Sequence, residues 1–389
     1  MDSAFSFNRL LKLPIPFKKS LFLWGPRQTG KTSLLRKAYP DLPTIQLLKS
    51  EEFADYSARP QLLRERVKQW KTKQVVIDEI QRVPDLLNEV QYLIEEEKVA
   101  FVLCGSSARK LKKHHANLLG GRAIRLELFG LTAYEMGDRF DLNRVLNRGA
   151  LPAIYLADSD LEARQLLRSY CADYLKEEIF SEGLVRQLPP FSRFLEAAAI
   201  GDTEILSFES FARDCGVSAP TIQSYFNILH DTLLGAFLPG YSFRPKRKII
   251  SSPKFYFFDV GIVAYLAQRG EVKTGSELWG KALENWVHQE LRSYLSYRQR
   301  PETMSYWRLT TQVEVDFIVG KMKCAIEVKS SPRIHADHLK GLREIKVDHP
   351  DIGRRIVVSG ERHSRQTDDG IEVLTVEDFL EQLWSDQLF

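Results

Sequence analysis

The chain has few cysteines, little net charge and no long apolar run, and each shortage narrows what the protein can be. Its 4 cysteines stand far apart without a C-x-x-C pair, so we expect neither a disulfide framework nor a zinc site. Lys plus Arg exceed Asp plus Glu by only 55 to 51, so overall charge does not indicate a nucleic-acid partner. The longest apolar stretch is shorter than the about 20 residues that a transmembrane helix needs.

Targeting signals and repeats are also missing from the sequence. Residues 1–19 contain no uninterrupted apolar core and no small-residue cleavage site, and we find no repeat or low-complexity tract. We therefore expect a cytoplasmic protein without a membrane partner. With 389 residues, 44% hydrophobic and 27% charged, the chain is long enough for two or three globular domains.

The strongest positive signal is FLWGPRQTGKTSLL at residues 22–35, which fits the pattern G-x-x-x-x-G-K-[ST]. In this pattern backbone N–H groups wrap phosphates, Lys31 reaches the β and γ oxygens, and the Thr32 hydroxyl ligates magnesium. An apolar run before the loop predicts a strand, and residues 33–38 predict a helix whose N-terminus attracts phosphate. This context disfavours the alternative, a glycine loop with an incidental lysine. We predict ATP and Mg²⁺ as cofactors, bound by Gly25, Pro26, Arg27, Gln28, Thr29, Gly30, Lys31, Thr32 and Ser33.

Two further apolar strands end in polar residues. Residues 74–83, QVVIDEIQRV, place Asp78 to hold Mg²⁺ and Glu79 to polarise the attacking water. Two acids after a strand would by themselves be read as solvated, but downstream of a phosphate loop the catalytic interpretation is better. Ser106 follows the strand at residues 99–104, at an edge where parallel sheets bind ligands. It is either a γ-phosphate sensor or part of an ordinary Ser-Gly turn.

Arg122 follows two glycines and is a candidate arginine finger, a residue that completes the site of a neighbouring subunit. Such arginines change the rate by roughly 10³ to 10⁵. A surface arginine before an edge strand explains Arg122 equally well, and Arg125 or Arg139 could take the role instead. Because an arginine finger acts on a neighbouring subunit, we expect a homo-oligomer. A hexamer is the first stoichiometry to test.

A helix-turn-helix pattern follows at residues 208–224, with a first helix at 208–215, a glycine turn and a second helix from Ser218. The second helix of such motifs enters the major groove, so Thr221, Gln223 and Ser224 are candidate DNA contacts. Two β-rich runs flank a basic segment typical of a phosphate-binding wing, with Arg244, Lys246, Arg247 and Lys248. The alternative is that these elements form a protein-docking module or a lid of an ATPase subunit, since either would contain the same helices and strands. The basic run at residues 108–115 either binds a DNA backbone or forms a solvent-exposed helix face.

The last third of the chain carries a second group of charged residues. Glu284 lies on a predicted amphipathic helix at residues 280–295, and Asp316 lies on a predicted strand at 313–319. Glu327 and Lys329 on the next strand share one face, because side chains alternate along a strand. Asp316 and Glu327 would bind Mg²⁺ through hard oxygen ligands, and Lys329 would position water. A solvated ion pair is the alternative for Glu327 and Lys329 alone.

Together these motifs resemble bacterial and archaeal AAA+-type ATPases that carry a winged-helix region and a C-terminal PD-(D/E)xK nuclease-like domain. The resemblance rests on GPRQTGKT, VVIDEIQ, CGSSARKL, GRAIRLELFGLTAYE, SPKFYFFDVGI, GKALENWVHQEL and EVDFIV…AIEVKSS. It implies an α/β P-loop core with a parallel sheet (residues 1–145), a helical connecting region (146–200), a winged helix (201–274) and a restriction-endonuclease-like α/β domain (275–389). It places nucleotide roles on Lys31, Thr32, Asp78 and Glu79, and nuclease roles on Glu284, Asp316, Glu327 and Lys329. The Pro-Asp of the nuclease motif is relaxed here to Val315-Asp316.

This combination predicts a DNA-stimulated ATPase. We expect an oligomeric motor that remodels or translocates on duplex or branched DNA. The sequence leaves open whether the C-terminal domain only binds this DNA or also cuts it with Mg²⁺, and whether the pathway is repair, recombination or defence. The alternative is a nucleotide-controlled switch whose nuclease-like domain is an inactive docking platform.

Overall fold

The computed structural model describes residues 7–107, 119–175, 188–242 and 251–389, which form two compact units. The amino-terminal unit comprises Asn8–Gly130 and Asp231–Leu234. The carboxyl-terminal unit comprises Leu131–His230 and Gly235–Phe389, with Phe7. Among the helices in these ranges, none combines the length and apolar character needed to cross a lipid bilayer.

The amino-terminal unit is built on a five-stranded parallel sheet in the order β2-β3-β4-β1-β5. Its strands are β1 (Ser20–Trp24), β2 (Thr44–Gln46), β3 (Gln74–Asp78), β4 (Ala100–Gly105) and β5 (Ala123–Glu127). Its helices are α1 (Lys31–Ala38), α2 (Ser50–Ala58), α3 (Leu62–Trp70) and α4 (Leu86–Glu96). The predicted α/β class with a parallel sheet in this part of the chain is confirmed.

The three central strands of this sheet are buried on both faces. Every residue of β1 and of β4 is buried, as expected of a parallel sheet covered on both sides. Phe22 stacks on Trp24 with ring centroids 5.1 Å apart, and both belong to the core that includes Ile77 and Leu103. Because all strands run the same way, the loops that follow β1, β3 and β4 emerge side by side at one edge.

The carboxyl-terminal unit begins with helices and a short hairpin. Its helices are α5 (Ala133–Met136), α6 (Leu142–Arg148), α7 (Pro152–Tyr155), α8 (Asp160–Ser169), α9 (Leu188–Ile200), α10 (Phe208–Cys215), α11 (Ala219–Asp231) and α12 (Val260–Leu266). Between α11 and α12, β6 (Gly235–Leu238) pairs antiparallel with β7 (Lys254–Phe257). The helix predicted at 208–215 has those bounds, and Gly216 ends it with a φ of 67°. The predicted basic run 108–115 and the basic residues Arg244, Lys246, Arg247 and Lys248 lie outside the described residues.

A six-stranded mixed sheet completes this unit, in the order β12-β13-β11-β10-β9-β8. Its strands are β8 (Met304–Arg308), β9 (Glu314–Val319), β10 (Cys324–Lys329), β11 (Arg354–Ser359), β12 (Arg365–Gln366) and β13 (Glu372–Thr375). The accompanying helices are α13 (Glu277–Tyr297), α14 (Lys340–Asp348) and α15 (Val376–Trp384). β10, β11 and β13 are parallel, whereas β8 and β9 are antiparallel. The winged-helix and nuclease-like assignments remain predictions.

Buried polar groups connect the helices of the carboxyl-terminal unit. Glu290 on α13 accepts hydrogen bonds from the Ala133 backbone N–H at 2.7 Å and from the Trp384 indole at 2.9 Å. Burial raises the pKa of Glu290 to about 8. The four cysteines are free thiols, all of them buried, with Cys104 in β4 and Cys324 in β10.

Candidate functional site

The loop between β1 and α1 is shaped by hydrogen bonds to its own carbonyl groups. The buried Lys31 ammonium donates to the carbonyl oxygens of Gly25 at 2.7 Å and Pro26 at 2.8 Å. Thr29 closes the turn by donating its hydroxyl to Pro26 at 2.9 Å, and Gly30 has a φ of 93° that favours glycine. Lys31 is thereby held inside the loop, next to the first turn of α1.

Gly25 has a steric reason to be glycine as well. A Cβ at this position would lie 2.3 Å from the Leu128 carbonyl oxygen, closer than any real contact. Arg9 supports the same region, because its guanidinium donates to the Thr29 carbonyl at 2.5 Å and to the Phe129 carbonyl at 2.8 Å. The loop therefore has a fixed backbone, as a site that binds phosphate through backbone N–H groups requires.

Thr32 and Asp78 meet across the sheet edge. The Thr32 hydroxyl donates to Asp78 Oδ2 at 2.8 Å, although the two residues are 46 positions apart. The other carboxylate oxygen, Asp78 Oδ1, is buried without a hydrogen-bond partner. An orphaned carboxylate oxygen beside a hydroxyl oxygen is a donor set that suits Mg²⁺. The residues predicted to hold Mg²⁺ with a nucleotide thus fit that role, with Lys31 next to them in the loop.

Glu79 is aimed by its backbone and by a glutamine. Its φ of 62° lies in the left-handed region, where non-glycine residues are strained and often functional. Gln81 Nε2 donates to Glu79 Oε2 at 2.5 Å and to Ser106 Oγ at 3.0 Å, so one amide joins the ends of β3 and β4. Burial raises the pKa of Glu79, while the Lys31 ammonium lowers it. A buried carboxylate with a raised pKa beside a phosphate loop can orient water or accept a proton.

Gly105 makes room for this glutamine. A Cβ at Gly105 would lie 2.3 Å from Gln81 Oε1 and 2.6 Å from the Trp24 ring. The sequence pattern pointed to Ser106 but gave Gln81 no role. Its signal was its place two residues after Glu79, within VVIDEIQ.

Arg122 lies away from the loop of its own chain. It directly precedes β5, whose first residue Ala123 pairs with Ser20 at the start of β1, whereas the loop follows the end of β1. Arg122 forms an ion pair with Glu95 at 2.9 Å in which both side chains are about 40% exposed, and such pairs contribute little to stability. It therefore cannot complete the site in its own chain, and its role in a neighbouring subunit remains a prediction.

The candidate DNA contacts on α11 differ in their surroundings. Gln223 and Ser224 are exposed, next to the buried Ile222. The Thr221 hydroxyl lies 2.8 Å from Ser218 Oγ, within the first turn of the helix. Two of the three predicted contacts thus present polar groups at the surface.

The four predicted nuclease-type residues of the carboxyl-terminal unit lie in one cluster, in which Asp316 and Glu327 are buried and Glu284 and Lys329 are partly exposed. Lys329 pairs with Glu327 at 2.5 Å, and Asp316 Oδ2 accepts the Val328 backbone N–H at 2.8 Å. Glu284 is linked to the cluster through the ammonium of Lys254, which lies 3.1 Å from Glu284 Oε1 and 3.9 Å from Asp316 Oδ1. The sequence analysis missed Lys254, the first residue of β7, because nothing in SPKFYFFD marks it as a buried cation.

Glu314 is a second residue of this cluster that the sequence analysis missed. It is two residues before Asp316 on β9, and it forms ion pairs with Lys254 and, at 2.7 Å, with Arg308. Four carboxylates therefore surround three cations, the third being Lys329. When all are ionised, one negative charge remains, which raises the cost of burying the group.

The pKa values in the cluster reflect burial and mutual repulsion. Burial and the neighbouring Asp316 raise the pKa of Glu327 to about 8, against the opposing effect of Lys329. Burial also raises the pKa of Glu284 to about 7, although the Lys254 ammonium lowers it. Burial alone would lower the pKa of Lys254, but Glu284, Asp316 and Glu314 raise it above the ordinary lysine value.

Mg²⁺ does not fit this cluster as it is arranged. Within the residues that the structure describes, no set of three or more His, Cys, Asp or Glu side chains is arranged to hold a metal ion. One oxygen of Asp316 accepts a backbone N–H, and the Lys254 ammonium contacts the carboxylates of Glu284 and Glu314. Only Glu327 Oε2 among the oxygens of Glu327 and Asp316 is buried without a partner.

Comparison with known families divides the chain into three matched segments. Residues 17–137 match a family described as "AAA domain". Residues 139–273 and 279–379 match two domains of unknown function, DUF8612 and DUF4143. The first match agrees with the loop and strand geometry: the amino-terminal segment is similar to AAA domains and carries the loop pattern of a phosphate-binding site.

Two relatives that match most of the chain are described only as uncharacterized proteins. A protein of Mycobacterium tuberculosis is 26% identical over 325 residues, covering 82% of this chain and 70% of the relative. A protein of Haemophilus influenzae is 24% identical over 411 residues, covering 97% and 98%. Among solved structures, the Aeropyrum pernix ORC1 protein in complex with DNA matches at a TM-score of 0.27 and 15% identity, over 64% of this chain and 86% of that one. So low a TM-score carries no conclusion about this chain.

Proposed function

We propose that the chain is an ATP hydrolase that works on DNA, as a homo-oligomer that moves along or remodels duplex or branched DNA. The observation that carries the hydrolase is the meeting of the Thr32–Asp78 pair with Glu79 at one sheet edge. Bound ATP and Mg²⁺ would supply the phosphoanhydride bond and the balancing positive charge, and Lys31, Thr32 and Asp78 would hold them.

Glu79 is the residue to which we assign the water. Its buried carboxylate, held by Gln81, would orient the attacking water and accept its proton. Ser106 accepts a hydrogen bond from the same amide nitrogen, so a change at the γ-phosphate end of the site can reach Glu79 through a single side chain.

Turnover and nucleotide binding test the hydrolase separately. Glu79→Gln should keep ATP affinity and lose turnover, since glutamine cannot accept the proton. Thr32→Ala, in contrast, should weaken the Mg²⁺-dependent binding of ATP. The control is Glu65→Gln on α3, whose side chain is 59% exposed. Unchanged turnover in Glu79→Gln would remove the assignment.

Action on DNA is supported by the surface of α11. Exposed amide and hydroxyl groups such as those of Gln223 and Ser224 are the types that read base edges in a groove. DNA should raise the ATPase rate, and the stimulation should weaken as salt rises, because salt weakens DNA binding. The logarithm of the DNA-binding constant should fall with the logarithm of the salt concentration, with a slope of about −0.9 per phosphate contacted on duplex. Replacing Gln223 and Ser224 together by alanine should reduce the stimulation, whereas replacing the exposed Glu209 on α10 should not.

A nucleotide-controlled switch is the second candidate function. It is favoured by the contacts of Lys254, because carboxylates that are already paired with a lysine suit docking better than metal-dependent cutting. An ATPase rate that does not respond to linear, branched or single-stranded DNA would favour the switch. Mg²⁺-dependent cleavage remains a separate hypothesis, under which Lys329→Ala should abolish cutting and leave ATP hydrolysis intact.

A further inference from the structure

Lys254 is the centre of the charged cluster in the carboxyl-terminal unit. Its side chain is only 4% exposed, and its ammonium contacts Glu314 and lies 3.1 Å from Glu284 and 3.9 Å from Asp316. The residue begins β7, so it comes from the hairpin, whereas Glu314 and Asp316 come from the six-stranded sheet and Glu284 from α13. Three elements therefore converge on one cation supplied by the chain itself.

The geometry around this cation is closed by further contacts. Tyr256, two residues along β7, donates its hydroxyl to Glu284 Oε1 at 2.7 Å. The Tyr306 ring on β8 lies 5.7 Å from the Lys254 ammonium, and its hydroxyl donates to the Ser252 carbonyl just before β7. The chain is therefore also held on either side of Lys254, by Glu284 at Tyr256 and by Tyr306 at Ser252.

A divalent cation bound by Asp316 would lie against the Lys254 ammonium, which is 3.9 Å from Asp316 Oδ1. Mg²⁺ requires near-octahedral oxygen ligands at about 2.0–2.1 Å. Glu314 is held by Arg308 and Lys254, and Asp316 by a backbone N–H on one oxygen. Asp316 Oδ1 and the unpartnered Glu327 Oε2 remain as two oxygens. A Mg²⁺ ion bound by them would be repelled by the Lys254 ammonium beside Asp316, which its contacts with Glu284 and Glu314 hold in place.

We propose that this cluster is a metal-free ion-pair junction, in which the Lys254 ammonium takes the place of a divalent cation and fastens the β6–β7 hairpin to the six-stranded sheet. The inference does not depend on ATP hydrolysis, since it concerns residues of the other unit alone.

Metal binding by the full chain gives the first test. The nucleotide-free protein carries Asp78→Asn to remove the metal ligand of the phosphate loop, and Mn²⁺ is the probe, followed by electron paramagnetic resonance. The expected result is no bound Mn²⁺. One bound Mn²⁺ that disappears with Asp316→Asn would overturn the proposal. This test uses no ATPase assay, so a failure of the metal-free junction can be distinguished from a failure of the proposed ATP hydrolysis.

Thermal unfolding gives the second test. Lys254→Met keeps much of the side-chain length but leaves three carboxylates, each less than 20% exposed, without their shared cation, so Tm should fall steeply. The matched control is Lys323→Met, which removes an ion pair with Glu302 at the start of the same sheet, where the lysine is 55% exposed. If Lys254→Met does not fold at all, Lys254→Arg, which keeps the charge, should fold. A Tm loss in Lys254→Met no larger than in Lys323→Met would contradict the junction.

Discussion

Replacing Gln81 should slow ATP hydrolysis without weakening nucleotide binding. Gln81 is 4% exposed, and its amide nitrogen donates to both Glu79 and Ser106. Gln81→Met keeps the volume and removes both donations. Lys31, Thr32 and Asp78 do not contact this amide among the hydrogen bonds described above, so the loop should still bind ATP.

The size of the effect follows from the bond that is lost. A hydrogen bond to a charged group contributes about 1.5–3 kcal/mol, and each 1.36 kcal/mol is a factor of about ten in rate. If Glu79 needs this bond to stay aimed at the water, kcat should fall about 10- to 150-fold while KM changes little. Because the amide also lowers the pKa of Glu79, its loss should move the acidic limb of the kcat profile to higher pH.

Steady-state ATPase assays across pH, with nucleotide binding measured separately, check this prediction. The control is Gln91→Met, because Gln91 is partly exposed on α4 and its amide donates to Glu95 at 3.1 Å, outside the site. Gln81→Met with the kcat of the control would refute the positioning role. An equal loss of ATP affinity would also refute it, since the amide would then act on binding.

Three further predictions concern a loop, a buried acid and a surface cation. Gly25→Ala places a Cβ 2.3 Å from a backbone carbonyl and should cost about 1–3 kcal/mol of stability, whereas Gly270→Ala, with open space around it, should not. Glu290 has a folded pKa of about 8, above its unfolded value of about 4.3, so its contribution to stability is full below the unfolded pKa and is lost as pH rises to about 8. Glu290→Gln should flatten this decline in unfolding free energy. Arg122→Ala should keep ATP binding and lower turnover by roughly 10³-fold if the residue completes a neighbouring site.

Each of these predictions has a contrary outcome. Equal Tm values for Gly25→Ala and Gly270→Ala would mean that the loop can move away from the added methyl group. An unchanged pH dependence of unfolding in Glu290→Gln, measured beside Glu277→Gln with its 86% exposed side chain, would assign the dependence to other acids. Turnover of Arg122→Ala equal to wild type would leave only the surface ion pair with Glu95.

The amino-terminal site was predictable because its signals are local. An apolar run followed by a glycine loop predicts both the strand and the ligand type, and Asp78 ends a second run of the same kind. Gln81 escaped prediction because its function depends on a hydrogen bond to Ser106, which is 25 residues away. A glutamine after a strand has no spacing rule that distinguishes it from a surface residue.

The carboxyl-terminal cluster was predictable only in part. Alternation along β10 placed Glu327 and Lys329 on one face, and their 2.5 Å ion pair agrees with it. Burial did not follow alternation, because five of the six β9 residues are buried, on both faces of the strand. Lys254 was not predictable, since its partners lie 30 or more positions along the chain and nothing in a lone lysine indicates a buried cation.

The buried free thiols make the protein its own probe of local opening. Cys104 is shielded in the central sheet of the amino-terminal unit and Cys324 in the sheet that carries the ion-pair junction. A thiol reagent can modify either residue only while its strand is transiently exposed to solvent. Modification rates mapped by mass spectrometry would therefore compare the breathing of the two sheets, with and without nucleotide, in the unaltered chain.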